Sequence, residues 1–316
     1  MKTNKTAIVF YGLLYLDQSE LLAPNIPSSD FWEQTRVYLN CAVNLATSLE
    51  ARGINFVLLT NYKDLVSEIL NSQNKLLKIE EIAFTTDVPS GIVFHFAHFK
   101  LDVYRFFSTL ENRYIGYCDL DMICINDIPS CFLNNIQDKI PMCYDISDQF
   151  IPAYGEKAVI RDLEAIHAMP SEGRWYGGEF LTGTPEFFGL LTKEIEKNYG
   201  EYVRKIHKIH HVGMETFTSA ALEIIRKKGL YIADAGTLGI VGRFWNAKTL
   251  HPQKPFEYFR NCFLLHLPAD KHFLSKLDIE KVGNSSEFEK YYNDYRKPPP
   301  RNQLNKIYRF FINIFK

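Results

Sequence analysis

Hydrophobic and polar positions in the first 130 residues follow two alternating patterns. Short apolar runs have the length of buried strands: AIVFYG (expected strand Thr6 to Gly12), NFVLLTN and LLKIEEIAF. Between them, apolar residues recur at helical spacing from Asp30 to Gly53, in DLVSEILN and in FAHFKLDVYRFFSTL. This alternation predicts an α/β fold with a doubly wound, mostly parallel sheet flanked by helices. In such sheets, ligands bind beyond the carboxyl ends of the strands.

Residues 140–270 have a more mixed pattern. The segments PEFFGLLTKEIEKNYGEYVRKIHK and METFTSAALEIIRKKG predict helices, whereas LYIADA and CFLLHL predict strands. Two glycine-rich segments, WYGGEFLTGTP and AGTLGIVGRFW, are predicted as loops long enough to hold a substrate. We therefore expect one α/β domain in two halves, residues 1–130 and 131–275, followed by a C-terminal extension at 276–316.

The last 21 residues, RKPPPRNQLNKIYRFFINIFK, differ from the rest of the chain. Three prolines interrupt the preceding structure, and the segment carries six basic residues and no acidic one. Its apolar residues recur at helical spacing: Leu304, Ile307, Tyr308, Phe311 and Phe315. This pattern predicts a basic amphipathic helix that lies in an anionic membrane surface. The alternative is a C-terminal helix packed on the protein's own core.

Composition limits the classes of function. The 46% hydrophobic and 23% charged residues are typical of a globular domain, and a net charge of −1 gives no reason to expect a nucleic-acid partner. No apolar run reaches the 18 residues expected of a membrane span. The six cysteines contain no CxxC pair and lie mostly in apolar runs, which favours free thiols in the cytoplasm over zinc or disulfides.

The segment YIGYCDLDMICIND, residues 114–127, places two acids one residue apart in an otherwise apolar run. If the run is a strand, Asp119 and Asp121 lie on the same face. Burying carboxylates is costly unless positive charge or hydrogen bonds compensate them. The pair therefore predicts a cation site near the carboxyl end of this strand.

A DxD motif that follows three strand–helix units resembles the nucleotide-sugar glycosyltransferases of the GT-A fold. Three later motifs resemble the same superfamily in the same order: WYGGEFLTG (175–183), GMETFTSAAL (213–222) and LLHLPADKH (264–272). Together the four motifs cover Asp119 to His272. Bacterial lipopolysaccharide and capsule transferases resemble the chain most, and blood-group-like transferases more distantly. The resemblance implies that residues 1–130 bind the nucleotide sugar and that 131–275 bind the acceptor and catalyse transfer.

The resemblance also implies a divalent metal, Mn²⁺ or Mg²⁺, which would neutralise the diphosphate leaving group. Asp121 would be a direct ligand, and Asp119 would contact the ribose or share the metal. His266 would be the remaining protein ligand, and Lys271 would place a fixed charge on the departing phosphate.

The two catalytic candidates are acids in the glycine and acidic motifs. Gly177 and Gly178 would let the backbone approach a sugar closely, so that Glu179 bonds its hydroxyls or, in a retaining enzyme, faces the anomeric carbon. Glu215, at a helix start, would be the base of an inverting enzyme. Members of the superfamily usually have two acids in this motif, and Met214 replaces one of them here. The stereochemistry stays open.

Further binding candidates precede the DxD motif. Tyr11 and Thr60, with Asn61, end the first two predicted strands and are expected to hold base and ribose. Lys100 and Arg105 precede the aspartates and either reach phosphate or sugar or lie on a solvated helix face. Three histidines are interpreted as surface residues because no carboxylate or cysteine has supporting spacing: His207, His210 and His211.

These features together predict a metal-dependent glycosyltransferase at the inner face of the cytoplasmic membrane. A UDP-sugar is the expected donor, and a glycan or lipid-linked oligosaccharide of lipopolysaccharide or capsule synthesis is the expected acceptor. One alternative, a metal-dependent nucleotidyl- or phosphotransferase, would ordinarily have a glycine-rich phosphate loop after the first strand, which YGLLYLDQSE is not. The other is a membrane-associated nucleotide- or glycan-binding protein without turnover, which Met214 favours.

Overall fold

The computed structural model describes residues 8–18, 30–70, 77–89, 91–92, 95–111, 113–279, 282 and 284–297. The strands in these ranges are β1 (Ile8–Leu14), β2 (Asn55–Thr60), β3 (Lys78–Glu81), β4 (Tyr114–Cys118), β5 (Met122–Cys124), β6 (Met142–Asp145), β7 (Tyr176–Gly183), β8 (Ala233–Asp234), β9 (Val241–Arg243) and β10 (Leu264–His266). The helices are α1 (Phe31–Glu50), α2 (Lys63–Leu70), α3 (Lys100–Thr109), α4 (Ser130–Gln137), α5 (Ser147–Tyr154), α6 (Glu156–His167), α7 (Pro185–Lys205), α8 (Met214–Lys227), α9 (Lys271–Ser275) and α10 (Ser285–Arg296). Short 3₁₀ helices cover His95–Phe99 and Phe256–Phe259.

The main sheet confirms the predicted α/β class. Its strand order is β3-β2-β1-β4-β7-β6-β8, and its neighbours are parallel except that β7 runs antiparallel to both β4 and β6. A second sheet has the order β5-β10-β9. β2 pairs with one edge of β1, and β4, which comes later in the chain, pairs with the other edge. This reversal opens a crevice beyond the carboxyl ends of β1 and β4.

The first long helix shows how local sequence sets the element bounds. The Asp30 side chain accepts a hydrogen bond from the Trp32 N–H at 3.1 Å and so caps α1. An aspartate directly before a run of apolar residues at helical spacing predicts such a cap. Gly53 follows the helix with φ of 71°, a left-handed conformation that suits glycine. The prediction of a helix between Asp30 and Gly53 is therefore confirmed.

The two glycine-rich segments predicted as loops contain strands, so that prediction is wrong. WYGGEFLTGTP holds β7, whose eight residues are all buried between β4 and β6. AGTLGIVGRFW holds β9 at the edge of the second sheet. Glycine lowers intrinsic strand propensity, but pairing with strands distant in sequence supplies the hydrogen bonds here. That pairing has no signature in the local sequence.

The aspartates do not lie within one strand, which corrects the predicted geometry. β4 ends at Cys118 and β5 begins at Met122, so Asp119 and Asp121 occupy the turn by which the chain leaves one sheet for the other. The Asp119 N–H donates to the Glu179 carbonyl at 3.0 Å, and the Leu267 N–H donates to the Asp121 carbonyl at 3.1 Å. The start of the turn is thus bonded to β7 of the main sheet, and its end is bonded to the residue that follows β10 of the second sheet.

The main hydrophobic core draws on both predicted halves of the domain, with members from Ile8 to Leu264. A second core beneath the small sheet includes Phe288 and Tyr292 of α10, so the start of the predicted 276–316 extension packs on the domain. The amphipathic helix predicted in the tail falls at residues 298–316, outside the described residues. Among the helices that the structure describes, none is both long and apolar enough to cross a membrane.

Glu223 of α8 anchors the segment that precedes β7. Its carboxylate accepts a hydrogen bond from Ser171 Oγ at 2.7 Å and pairs with Lys227 Nζ at 2.9 Å. Burial alone would raise its pKa, but bonds from His167, Ser171, the Glu172 N–H and Lys227 lower the pKa from 4.5 to about 2. Because the folded-state pKa is depressed, this carboxylate stabilises the fold above pH 4.5, and the stabilisation is lost as pH falls towards 2.

We expect Glu223→Gln to lower the free energy of unfolding at pH 7 by about 2 kcal/mol. At about pH 3 most of that difference from wild type should be gone, because the unfolded-state carboxyl is then protonated. Urea unfolding at both pH values measures it, with the exposed Glu257→Gln as the matched control. An equal destabilisation at the two pH values would contradict the assignment.

Candidate active site

A cavity of about 420 Å³ lies in the crevice beyond β1 and β4. Leu13 at the end of β1 and the 119–121 turn form its floor, while Gly178 of β7 and the start of α8 form a wall. Four of the sequence motifs contribute to this one cavity, through Asp121, Gly178, Glu215 and His266. The predicted position at the strand ends therefore agrees with the structure.

Asp119, Asp121 and His266 form a group of metal-ligating side chains. One donor atom of each lies within 4.8 Å of the other two, and His266 Nε2 is 3.2 Å from Asp121 Oδ1. β10 pairs antiparallel with β5, which sets His266 opposite Met122 and so beside the aspartate turn. Two carboxylates and one imidazole suit Mn²⁺ and, less well, Mg²⁺. The side chains present thus fit a divalent cation.

Two lysines compensate the aspartates. Lys271 Nζ is 2.7 Å from Asp121 Oδ2, and Lys100 Nζ is 2.7 Å from Asp119 Oδ1. Tyr117 Oη also donates to Asp119 Oδ1 at 2.8 Å. Burial would raise the pKa of Asp121, but the charges of Lys271 and His266 hold that pKa well below its usual range. Asp121 is therefore ionised and available as a ligand.

His266 is protonated at neutral pH in this arrangement. Burial alone would lower its pKa, but the charges and hydrogen bonds of Asp121 and Glu179 raise the pKa to about 9. A metal ion that bound His266 would therefore displace a proton.

Glu179, one of the two catalytic candidates, lies against His266. Its side chain is 2% exposed, and its Oε1 is 3.3 Å from His266 Nδ1 and 3.5 Å from Arg243 Nη1. Burial would raise its pKa, but Arg243 and His266 together lower the pKa. The carboxylate is thus ionised and paired with two basic groups.

Glu215, the other candidate, has an open side. It lies in the first turn of α8, its Oε1 accepts from the Gly178 N–H at 3.2 Å and its Oε2 accepts from Trp175 Nε1 at 3.3 Å. His211 Nε2 lies 3.3 Å from Oε2, and the Glu215 side chain remains 23% exposed to the cavity. Burial would raise its pKa, but His211 and Arg243 hold that pKa well below its usual range.

Of the glycines and lysines predicted to contact the substrate, Gly178, Lys100 and Lys271 line the cavity and Gly177 does not. Gly178 lines the cavity, and its carbonyl accepts from Lys100 Nζ at 2.9 Å. Gly177 is turned towards Glu179: a Cβ at Gly177 would lie 2.2 Å from Glu179 Oε2. Lys100 and Lys271 both line the cavity, although each is committed to an aspartate.

The predictions for Tyr11 and Thr60 are wrong in this structure. Tyr11 is 1% exposed and packs against Phe107, with ring centroids 4.9 Å apart, because α3 covers that face of β1. Thr60 is fully buried, and its hydroxyl accepts from the Tyr62 N–H at 3.3 Å. Neither residue lines the cavity. Arg105 also stays away from it, since it pairs with acids of α3 and α7.

The three-histidine cluster is not uniformly on the surface, which corrects its interpretation. His207 is exposed, but His210 pairs with buried Asp162 and His211 lines the cavity. A signal was available for His211, because it stands four residues before Glu215, which begins a predicted helix.

Several cavity residues carried no usable sequence signal. Arg243 is 5% exposed, and its Nε and Nη2 donate to Gln149 Oε1 at 3.1 and 2.9 Å. Phe150 stacks on Trp175 with ring centroids 4.0 Å apart and planes 4° from parallel. Phe150 and Trp245 line the cavity, whereas Trp175 is buried behind Phe150. Arg243 and Trp245 lie in a segment that was predicted as a loop, and Phe150 lies in α5, a helix that the sequence pattern did not predict.

Comparison with known proteins gives matches only among solved structures. No family model matches the chain, and no curated protein matches it. The chain is similar to an active-site mutant of LgtC, with 13% identity, a TM-score of 0.49, and coverage of 93% of this chain and 98% of that one. It is similar to galactosyltransferase LgtC with donor and acceptor sugar analogues at 12% identity, a TM-score of 0.47 and the same coverage. At such low similarity, a function for this chain has to come from its own site.

Proposed function

We propose that the chain is a metal-dependent glycosyltransferase that moves a sugar from a nucleoside-diphosphate sugar to a glycan. The observation that carries the proposal is the Asp119–Asp121–His266 group in the same cavity as the ionised Glu215. A carboxylate–imidazole cation site at the switch point of an α/β sheet is suited to a diphosphate. A carboxylate across the cavity is suited to a sugar that acquires positive charge or to a hydroxyl that must lose a proton.

On the donor side, Asp121 and His266 would hold the divalent cation, and Asp119 would share it or bond the ribose. The cation, when bound, neutralises negative charge on the leaving diphosphate. Lys271 lies 2.7 Å from Asp121, so its ammonium can turn to the phosphate once the cation takes over the aspartate's charge. Lys100 keeps Asp119 in place through a second bond to the Gly178 carbonyl.

On the acceptor side, the cavity has the features of a sugar site. Gly178 has no side chain where β7 forms the wall, and the half-buried Trp245 offers aromatic surface for the apolar face of a pyranose. Glu215 faces the same space, with both oxygens held by donors. A UDP-sugar is the donor we test first.

A panel of UDP, GDP, CDP and CMP, each with and without Mn²⁺, tests the donor site by thermal unfolding. We expect one diphosphate with Mn²⁺ to raise the melting temperature, since a ligand at 100 times its Kd adds about 2.7 kcal/mol. Asp121→Asn should abolish the shift. Asp148→Asn, on exposed α5 surface, is the matched control and should keep it. A shift that is absent with every nucleotide would rule out the donor site.

Replacing Glu215 by Gln tests turnover separately from binding. The amide keeps the size of the side chain and an oxygen for the Gly178 N–H, but it has no negative charge. We expect sugar transfer, or hydrolysis of the donor in the absence of acceptor, to fall at least about 100-fold. The nucleotide-dependent thermal shift should remain. Glu201→Gln, at a half-buried position that does not line the cavity, is the control. Wild-type rates in Glu215→Gln would favour a binding protein without turnover, or another acid.

We further propose that the acceptor is a lipid-linked glycan of lipopolysaccharide or capsule synthesis, reached at the inner face of the cytoplasmic membrane. The support is the tail sequence, with six basic residues and an apolar stripe in residues 296–316. Each basic group near an anionic surface contributes about 1 kcal/mol.

Deleting residues 297–316 should release the protein from vesicles that contain anionic lipid, while transfer to an acceptor in solution is retained. Vesicle sedimentation measures the bound fraction. A full-length variant with Leu304, Ile307 and Phe311 changed to Ser keeps the charge and should bind with much lower affinity. Undiminished sedimentation of the deletion variant would remove the tail from the proposal.

A further inference from the structure

A line of buried polar side chains continues behind His266, away from the aspartates. His266 Nδ1 is 3.3 Å from Glu179 Oε1, and Glu179 Oε1 is 3.5 Å from Arg243 Nη1. Arg243 in turn donates twice to Gln149 Oε1. The four residues are between 2% and 7% exposed. They come from β10, β7, β9 and α5, so four separate elements converge on this line.

Strand pairing holds this line in register. β10 and β9 pair in parallel with His266 beside Arg243, so the two side chains lie on the same face of the small sheet. Glu179 belongs to the main sheet, where its carbonyl accepts from the Asp119 N–H. The carboxylate of Glu179 therefore joins the two sheets at the point where the metal-ligating group is assembled.

Glu179 contacts Nδ1 of His266, so that the other ring nitrogen, Nε2, remains for a cation. With Nδ1 facing Glu179, Nε2 is directed at Asp121 Oδ1, 3.2 Å away. A ring held by one nitrogen has a fixed orientation, and a carboxylate partner raises the basicity of the imidazole as a ligand. Arg243 Nη1, 3.5 Å from Glu179 Oε1, holds the buried carboxylate in place.

Gly177 provides the room that Glu179 occupies. A methyl group at Gly177 would lie 2.2 Å from Glu179 Oε2, whereas the Gly177 backbone is not in the left-handed region. Alanine at this position would therefore be compatible with the backbone and would push the Glu179 carboxylate aside.

We propose that Glu179, held by Arg243, is a positioning residue that orients His266 for the divalent cation and does not itself contact the reacting sugar. This rests on the cation site of the proposed function. It assigns Glu179 a different role from Glu215, although both acids lie in the same cavity. The positioning role can be tested by metal binding alone, without turnover.

The test is the affinity for Mn²⁺ alone, measured from the electron paramagnetic resonance signal of the free ion. Glu179→Gln should weaken binding about 10- to 100-fold, the usual effect of losing the partner of a ligating histidine. Gly177→Ala, which leaves every charge in place, should weaken binding in the same direction. Glu194→Gln is the matched control, because Glu194 is equally buried but pairs with Lys197 and Lys228, and its affinity should equal that of wild type.

A double-mutant cycle separates positioning from general destabilisation. Because Glu179 acts through His266, adding Glu179→Gln to His266→Ala should weaken Mn²⁺ binding no further. If Glu179→Gln does not fold, Gly177→Ala in the same two backgrounds gives the answer. Wild-type affinity in both Glu179→Gln and Gly177→Ala, or an unchanged loss in the His266→Ala background, would overturn the proposal.

Failure of the proposed function gives a different result. If the chain binds Mn²⁺ with the expected cycle but no nucleoside diphosphate shifts its melting temperature, the positioning role stands and the transferase does not. If a diphosphate with Mn²⁺ stabilises the protein while Glu179→Gln has wild-type affinity, the positioning role alone is lost. Wild-type protein that binds no Mn²⁺ contradicts both.

Discussion

The compensation of two carboxylates at the junction of two sheets is the constraint on which the site depends. Asp121 is buried and Asp119 is half-buried in the turn, so positive charge has to reach them from elsewhere. Lys100 comes from the start of α3, while Lys271 comes from the start of α9, far along the chain. Buried ion pairs of this kind contribute little net stability. Their arrangement is better explained by a ligand that takes over the same charges.

The junction also explains why the chain builds a second sheet. β5 pairs with β10 instead of a strand of the main sheet, and this pairing sets His266 beside Asp121. β7 is inserted antiparallel between β4 and β6, which puts Gly178 and Glu179 at the same end of the sheet as the aspartate turn. The aspartate turn, Gly178, Glu179 and His266 therefore meet at one edge although they come from distant parts of the sequence.

The sequence predicts those parts of the fold and site whose cause is local. The aspartates could be identified because a charged group within an apolar run has a desolvation cost that demands a partner, whereas His266 was identified through the resemblance of the LLHLPADKH motif. Arg243 could not, because its place depends on the pairing of β9 with β10, and the glycines around β9 conceal the strand. Tyr11 was misassigned for a related reason: periodicity shows that its strand is buried, but only the packing of α3 decides which face is covered. The residues that could be predicted depend on local sequence, whereas those that could not depend on contacts between elements that are distant in sequence.

The partners of Glu215 bear on the part it plays. Both of its oxygens already accept hydrogen bonds, from the Gly178 N–H and from Trp175, and His211 adds a third polar contact. Donors to both oxygens stabilise the ionised form, and a carboxylate with such a depressed pKa is a weak proton acceptor. A fixed negative charge is instead well suited to a sugar whose anomeric carbon becomes positive as the diphosphate leaves. Under the proposed function, the surroundings of Glu215 therefore favour electrostatic stabilisation of the reacting sugar over removal of a proton from the acceptor.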